Sequence, residues 1–84
     1  MTMPFSLDLL PPGSAAEIVS VHNEDAMARR LKDIGFSPAC RVECLYRSAA
    51  GDPTAFWVRG TVIALRQEDS RRILVVPIGG ENAR

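Results

Sequence analysis

The chain predicts a mainly β domain with one helix, in the order β-α-β-β-β-β, curled into a small barrel. Three observations carry this. Short runs rich in Val, Ile, Thr and aromatic residues recur along the chain and are separated by Gly and Pro turn signals. One segment, "NEDAMARRLKDIG", repeats its apolar residues at helical spacing instead. Two runs, "TAFWVR" and "TVIALR", are divided only at Arg59-Gly60, which leaves room for nothing but a tight hairpin.

The first element is the least defined. Phe5, Leu7, Leu9 and Leu10 form a short turn or strand that plugs one end of the core, and Pro11-Pro12-Gly13 ends it. Ala16–Val21 is β-branched and reads as a strand. The helix is expected over 24–34. Asn23 is a suitable N-cap, Glu24 and Asp25 lie in the first turn where the helix dipole favours anions, and Gly35 is the left-handed stop. Met27, Leu31 and Ile34 make a narrow apolar stripe, and Asp25 precedes Arg29 in the favourable order for an ion pair.

After the Ser37-Pro38 turn, "CRVECLYR" alternates. Val42, Cys44 and Tyr46 take one face, and Arg41, Glu43, Leu45 and Arg47 the other. Gly51, Asp52 and Pro53 form a surface turn. In the hairpin, Val58 faces Thr61, Trp57 faces Val62 and Phe56 faces Ile63. Phe56, Val58, Ile63 and Leu65 then belong to the core face, and Trp57 and Val62 to the opposite one. Arg59 is the strained member of the loop, because such turns favour Asn or Gly there. "QEDSRR" holds a single helical turn, Ile73–Val76 is the last strand, and 79–84 is a loose tail.

Composition narrows the function. The length suits one domain over 1–84, with the barrel at about 7–78. Apolar residues make up 46% and charged residues 24%, as in a soluble globular protein. Ten basic residues balance ten acidic ones, which argues against a nucleic-acid partner. No run approaches the ~20 apolar residues of a membrane span, and the first residues lack a charged leader. A cytoplasmic location follows. Cys40 and Cys44, four apart on one strand, would sit about 13 Å apart, beyond the roughly 7 Å that a disulfide spans.

Taken together, "LDLLPPGSAAEIVSV", "LKDIGFSPACRVECL" and "AAGDPTAFWVRGTVIALRQEDSRRILV" resemble the FeoA family, over about residues 7–76. The features in common are Gly35 closing the helix, the turn at Pro38, "GDP" at 51–53, "VRG" at 58–60 and "IALR" at 63–66. Two positions depart: Ala39 stands where the family usually has Gly, and Val62 where relatives are often polar. The resemblance implies an SH3-like barrel. It also implies a cytosolic accessory protein of ferrous iron uptake that binds the cytosolic part of the FeoB transporter, by contact and not by chemistry. Related domains sit at the C-terminus of metal-dependent repressors, but no helix-turn-helix precedes the domain here.

The residues fit that expectation. The only His is His22, with no nucleophile, base and orienting group assembled around it, and "IGGENAR" lacks the ending of a phosphate loop. No enzyme is expected and no cofactor is required. His22, Glu24 and Asp25 cluster at the strand–helix junction and could take a divalent metal weakly. A capped helix beside a solvated His is the simpler reading, since a tight site needs three or four ligands. Arg29 and Arg30, with Lys32, could meet an acidic partner, although a solvated helix face explains them as well. Trp57 with Val62 is the stronger candidate for partner contact, because Trp is enriched at interface hot spots. An aromatic beside a β-branched residue also stabilises a hairpin, by ~0.2–1 kcal/mol. The candidate partners are a FeoB-like transporter and a second copy of this chain. Two other functions stay open: an SH3-like module with a different protein partner, and a metal-responsive regulator.

Overall fold

The computed structural model describes residues 3–78. Six antiparallel strands are ordered β1-β6-β2-β3-β4-β5 in one sheet. The elements are β1 (Phe5–Ser6), a 3-10 turn (Leu7–Leu9), β2 (Ala15–Val21), α1 (Asp25–Ile34), β3 (Arg41–Arg47), β4 (Thr54–Val58), β5 (Thr61–Leu65), the single turn α2 (Gln67–Ser70) and β6 (Ile73–Pro77). The sheet curls around one core into an SH3-like, barrel-like form, with β1 and β5 as its edges. The expected tail at 79–84 lies outside the described residues.

The core draws on every long strand and on the helix. Ile18, Val42, Phe56, Val58, Ile73 and Val75 are buried from the sheet, and Leu31 from α1. Phe36, just past the helix, meets Phe56 edge to face with ring centroids 6.5 Å apart, a favoured aromatic geometry. Met27 and Ile34 pack against this cluster while remaining half-buried, so the apolar stripe of α1 points where its spacing indicated.

The first element is both the strand and the turn expected, with one residue as a correction: Leu9 does not join Phe5, Leu7 and Leu10 in plugging the core. Leu7 and Leu10 are buried, whereas Leu9 is exposed. The 3-10 turn brings residues three apart onto one side, so Leu7 and Leu10 meet the core together. Before it, β1 is a separate strand paired with β6.

The start of α1 is a second correction. Glu24, not Asn23, is the N-cap residue, and no side chain caps the helix. Asn23 is buried and its Nδ2 donates to the Asp69 carbonyl oxygen at 3.1 Å. A distant backbone acceptor has taken the amide that local rules assign to the helix end. At the other end Gly35 has φ 131°, and its N–H donates to the carbonyls of Leu31 and Lys32. A Cβ at Gly35 would lie 2.5 Å from Arg59 Cδ, so the absent side chain also admits the β4–β5 turn.

Arg59 and Gly60 both have positive φ, 49° and 80°, as a two-residue type I′ turn requires. The register follows as expected: Val58 opposite Thr61, Trp57 opposite Val62, Phe56 opposite Ile63. Ala39 also lies in the left-handed region, at φ 75°. Ala39 thus holds a conformation that favours Gly, and its N–H donates to the Ile18 carbonyl at 2.8 Å.

Candidate functional site

The outer face of β3–β4–β5 is where exposed apolar side chains gather. Trp57 is 41% and Val62 51% exposed, directly opposite one another on neighbouring strands. On the other side of Trp57 stands Glu43 of β3, whose carboxylate lies 3.6 Å from the Arg41 guanidinium. That pair is largely exposed, so it shapes the rim of the face more than it stabilises the fold.

Tyr46 belongs to this face, contrary to the alternation that grouped it with Val42 and Cys44. The pairing of β3 with β4 slips between Cys44, opposite Phe56, and Tyr46, opposite Ala55. Leu45 is the extra residue of a β-bulge, and one extra residue reverses the facing of all that follow. Tyr46 turns outward beside Ala55, diagonal to Trp57, and is 60% exposed. Nothing in the sequence alternation signals this bulge. Across two rows the face thus reads Trp57 with Val62, then Tyr46 with Ala55 and Ala64. Two aromatic rings held on neighbouring strands offer large contact area at small entropic cost.

The helix charges are arranged differently. Arg29 and Arg30 are exposed on α1. The anticipated Asp25–Arg29 ion pair is not formed, and Arg41–Glu43 is the one salt bridge among the described residues. Water competes with such a pair on an exposed helix face, where it would contribute only about 0.3–0.5 kcal/mol.

The metal candidates His22, Glu24 and Asp25 follow one another in the chain, yet no three His, Cys, Asp or Glu side chains converge on a metal position among the described residues. His22 Nε2 lies 2.8 Å from Ser20 Oγ, in solvent. Among the described residues no carboxylate is hydrogen-bonded to the ring, the third member that would make a Ser–His pair nucleophilic. Both thiols are free. Burial pushes the Cys44 thiol above its ordinary value, with Arg47 opposing weakly, so it stays protonated and a poor ligand. Cys40 is less outward than its turn position indicated: it is half-buried against the core, with Sγ 3.3 Å from Ser37 Oγ.

A cleft of about 360 Å³ separates the start of α1 from α2. Its walls mix Glu24, Glu68 and Asp69 with Arg71 and Arg72, leaving little net charge to select a ligand.

Comparison with known proteins agrees with this reading of the fold. The FeoA domain model matches residues 5–77. No curated protein matches the chain. Among solved structures, the FeoA protein of Chlorobium tepidum is 29% identical, with a TM-score of 0.87 over 95% of this chain and 76% of that one. Iron(II) transport protein A of Clostridium thermocellum is 28% identical, with a TM-score of 0.84 over 90% of this chain, which spans 47% of that one. Stenotrophomonas maltophilia FeoA, in complex with zinc and described as an SH3 domain protein, is 33% identical, with a TM-score of 0.75 over 84% of this chain and 88% of that one. With a family match running from β1 to the end of β6, the chain belongs to the FeoA family, whose members are linked to ferrous iron transport.

Proposed function

We propose that this chain is a non-enzymatic accessory protein of ferrous iron uptake, acting as a single domain in the cytoplasm. It docks on the cytosolic part of a FeoB-like transporter through the outer face of β3–β4–β5. The observation that carries the reading is the pair of exposed rings, Trp57 and Tyr46, with Val62 between the sheet and solvent. Family membership supplies the iron-transport context. The Stenotrophomonas maltophilia relative is described as a candidate activating factor of bacterial ferrous iron transport. No helix is long and apolar enough to cross a membrane among the described residues. Arg29 and Arg30 form a secondary contact for acidic groups of the partner.

The function requires no cofactor. The zinc in the Stenotrophomonas maltophilia structure belongs to that protein; here His22, Glu24 and Asp25 would hold a divalent ion weakly, with ligands completed by another molecule.

The test is calorimetric titration of the transporter's cytosolic domain with wild-type and Trp57→Ala protein. A Trp in a well-packed contact contributes ≥2 kcal/mol, so affinity should fall by ~30-fold or more while circular dichroism stays native. Equal affinity for both proteins overturns the Trp57 face. Failure of the wild type to bind overturns the transporter as partner.

A further inference from the structure

We infer that β5 is a self-pairing edge, through which two copies of this chain join their sheets antiparallel about a two-fold axis. The inference stands on the backbone of β5 and does not depend on the transporter.

In a two-residue hairpin the residues flanking the loop form a hydrogen-bonded pair, and bonded pairs then alternate with non-bonded ones. Val58–Thr61, Phe56–Ile63 and Thr54–Leu65 are therefore bonded, while Trp57–Val62 and Ala55–Ala64 are not. It follows that the N–H and C=O groups of Val62 and Ala64 point away from β4, toward the free edge. Among the described residues no other element takes them up: β5 pairs only with β4, and no turn or loop bond reaches Thr61–Leu65.

The two edges of the sheet are unlike. β1 has two residues, too short to template another strand. β5, "TVIAL", has five, with no charge and no proline. Folded proteins normally protect an edge with one of those devices.

Register and charge identify the occupant. Only residues whose polar groups face outward can exchange both bonds, so Val62 and Ala64 must find each other or themselves. Placing Val62 opposite Ala64 of the second copy uses all four groups on each strand, and sets Ile63 against Ile63 on the axis. Shifted registers leave part of that set unused. On the outer face the row then runs Trp57, Val62, then Ala64, Ala55 and Tyr46 of the second copy, so bulky side chains abut small ones. Continuing the same register, Arg66 meets Gly60 and no like charge. Arg59 comes opposite Gln67, where the acidic Glu68 and Asp69 begin α2. The chain's net charge of zero adds no long-range repulsion between copies. Self-pairing leaves the outer face open, so the pair presents two Trp57 faces on one continuous sheet.

Two paired five-residue strands bury less than about 1,200 Å², the range of weak, transient association. Sedimentation of the wild type from about 10 μM to about 1 mM should move the apparent mass toward twice that of the monomer. Hydrogen exchange at the two ends of that range should show the Val62 and Ala64 amides slowing at high concentration, with Ile63 unchanged. Ala64→Pro removes an edge donor that β4 does not use, and should melt like the wild type while remaining monomeric. Ala64→Lys, a second variant that keeps the backbone donor, should also stay monomeric. A wild type that is monomeric throughout, a folded variant that still dimerises, or protection on α1 instead, overturns the inference. Protection of Val62 and Ala64 that arises only when the transporter's cytosolic domain is added overturns it too, and gives the edge to that partner.

Discussion

The β4–β5 hairpin is closed by neighbours in the chain, and the junction that opens α1 is closed by a residue 46 positions away. In the hairpin, Arg59 and Gly60 set the turn, and the turn sets every pairing from Val58–Thr61 to Thr54–Leu65. At the junction, the Asn23 Nδ2 is bound to the Asp69 carbonyl and its Oδ1 is buried without a partner among the described residues, while the first turn of α1 has no side-chain cap. The difference is instructive. A hairpin's geometry is a property of its own few residues, whereas a helix end accepts any arrangement that leaves its N–H groups solvated, so tertiary packing can redirect the capping residue. The two regions touch at Gly35, where the stem of Arg59 crosses the end of the helix.

The sharpest way to break this comparison is to detach the helix while leaving the hairpin intact. Leu31 is 1% exposed and anchors α1 to the sheet. Leu31→Ala should lower the unfolding free energy by ~2–5 kcal/mol in urea or thermal melts. A neutral result would mean that α1 is held by another face.

A smaller loss should come where the two regions meet. Gly35→Ala forces a side chain onto φ 131° and into Arg59 Cδ and Cγ, at 2.5 and 2.8 Å. The cost should be about 1–3 kcal/mol, read by the same melts. Combining it with Arg59→Ala should recover part of that cost, because the obstructing stem is gone while the backbone strain and the 3.1 Å approach to Val58 Cγ2 remain.

The junction separates the two views of Asn23. Asn23→Ala should cost about 0.5–1.5 kcal/mol by removing its bond to Asp69. Glu24→Ala should cost less, since no cap bond is lost. The loosened contact should show as faster exchange of the amides around Asp69. If exchange changed only within the first turn of α1, Asn23 would be acting as a cap after all.

The last expected effect is a gain. Ala39 holds φ 75°, a conformation costing an L-residue roughly 1–2 kcal/mol, while Gly loses about 0.5–1 kcal/mol more chain entropy on folding. Ala39→Gly should therefore stabilise by up to about 1.5 kcal/mol, with the hairpin unaffected. A loss of stability would show that the methyl group makes contacts that outweigh the strain.

Much of the sheet was legible in the chain. The period-2 patterns around Phe56 and Val42 located β4 and the start of β3, and Arg59-Gly60 gave the hairpin register that sends Trp57 and Val62 outward together. Tyr46 was not legible, because a bulge is decided by how two strands fit and leaves no mark in the alternation of one of them. Leu9 was not legible either: a short apolar run does not say which of its residues a turn points inward, and contact of Leu7 and Leu10 with the core decided it. The metal candidates were adjacent in sequence, and adjacency along an extended strand and a helix start does not converge side chains.

By itself, the sequence determined the elements whose information is local: one amphipathic helix stopped at Gly35, the tight turn at residues 59–60, and a neutral, β-rich chain with no long apolar span. Tertiary structure alone decided which local options were used. Asn23 bonded across the molecule, Leu45 bulged, and Tyr46 joined Trp57 on one exposed face. The physical reason is competition: backbone and amide groups have several acceptable partners, and burying Leu31, Phe36 and Phe56 in one core is a larger free energy than any single cap or strand alternation.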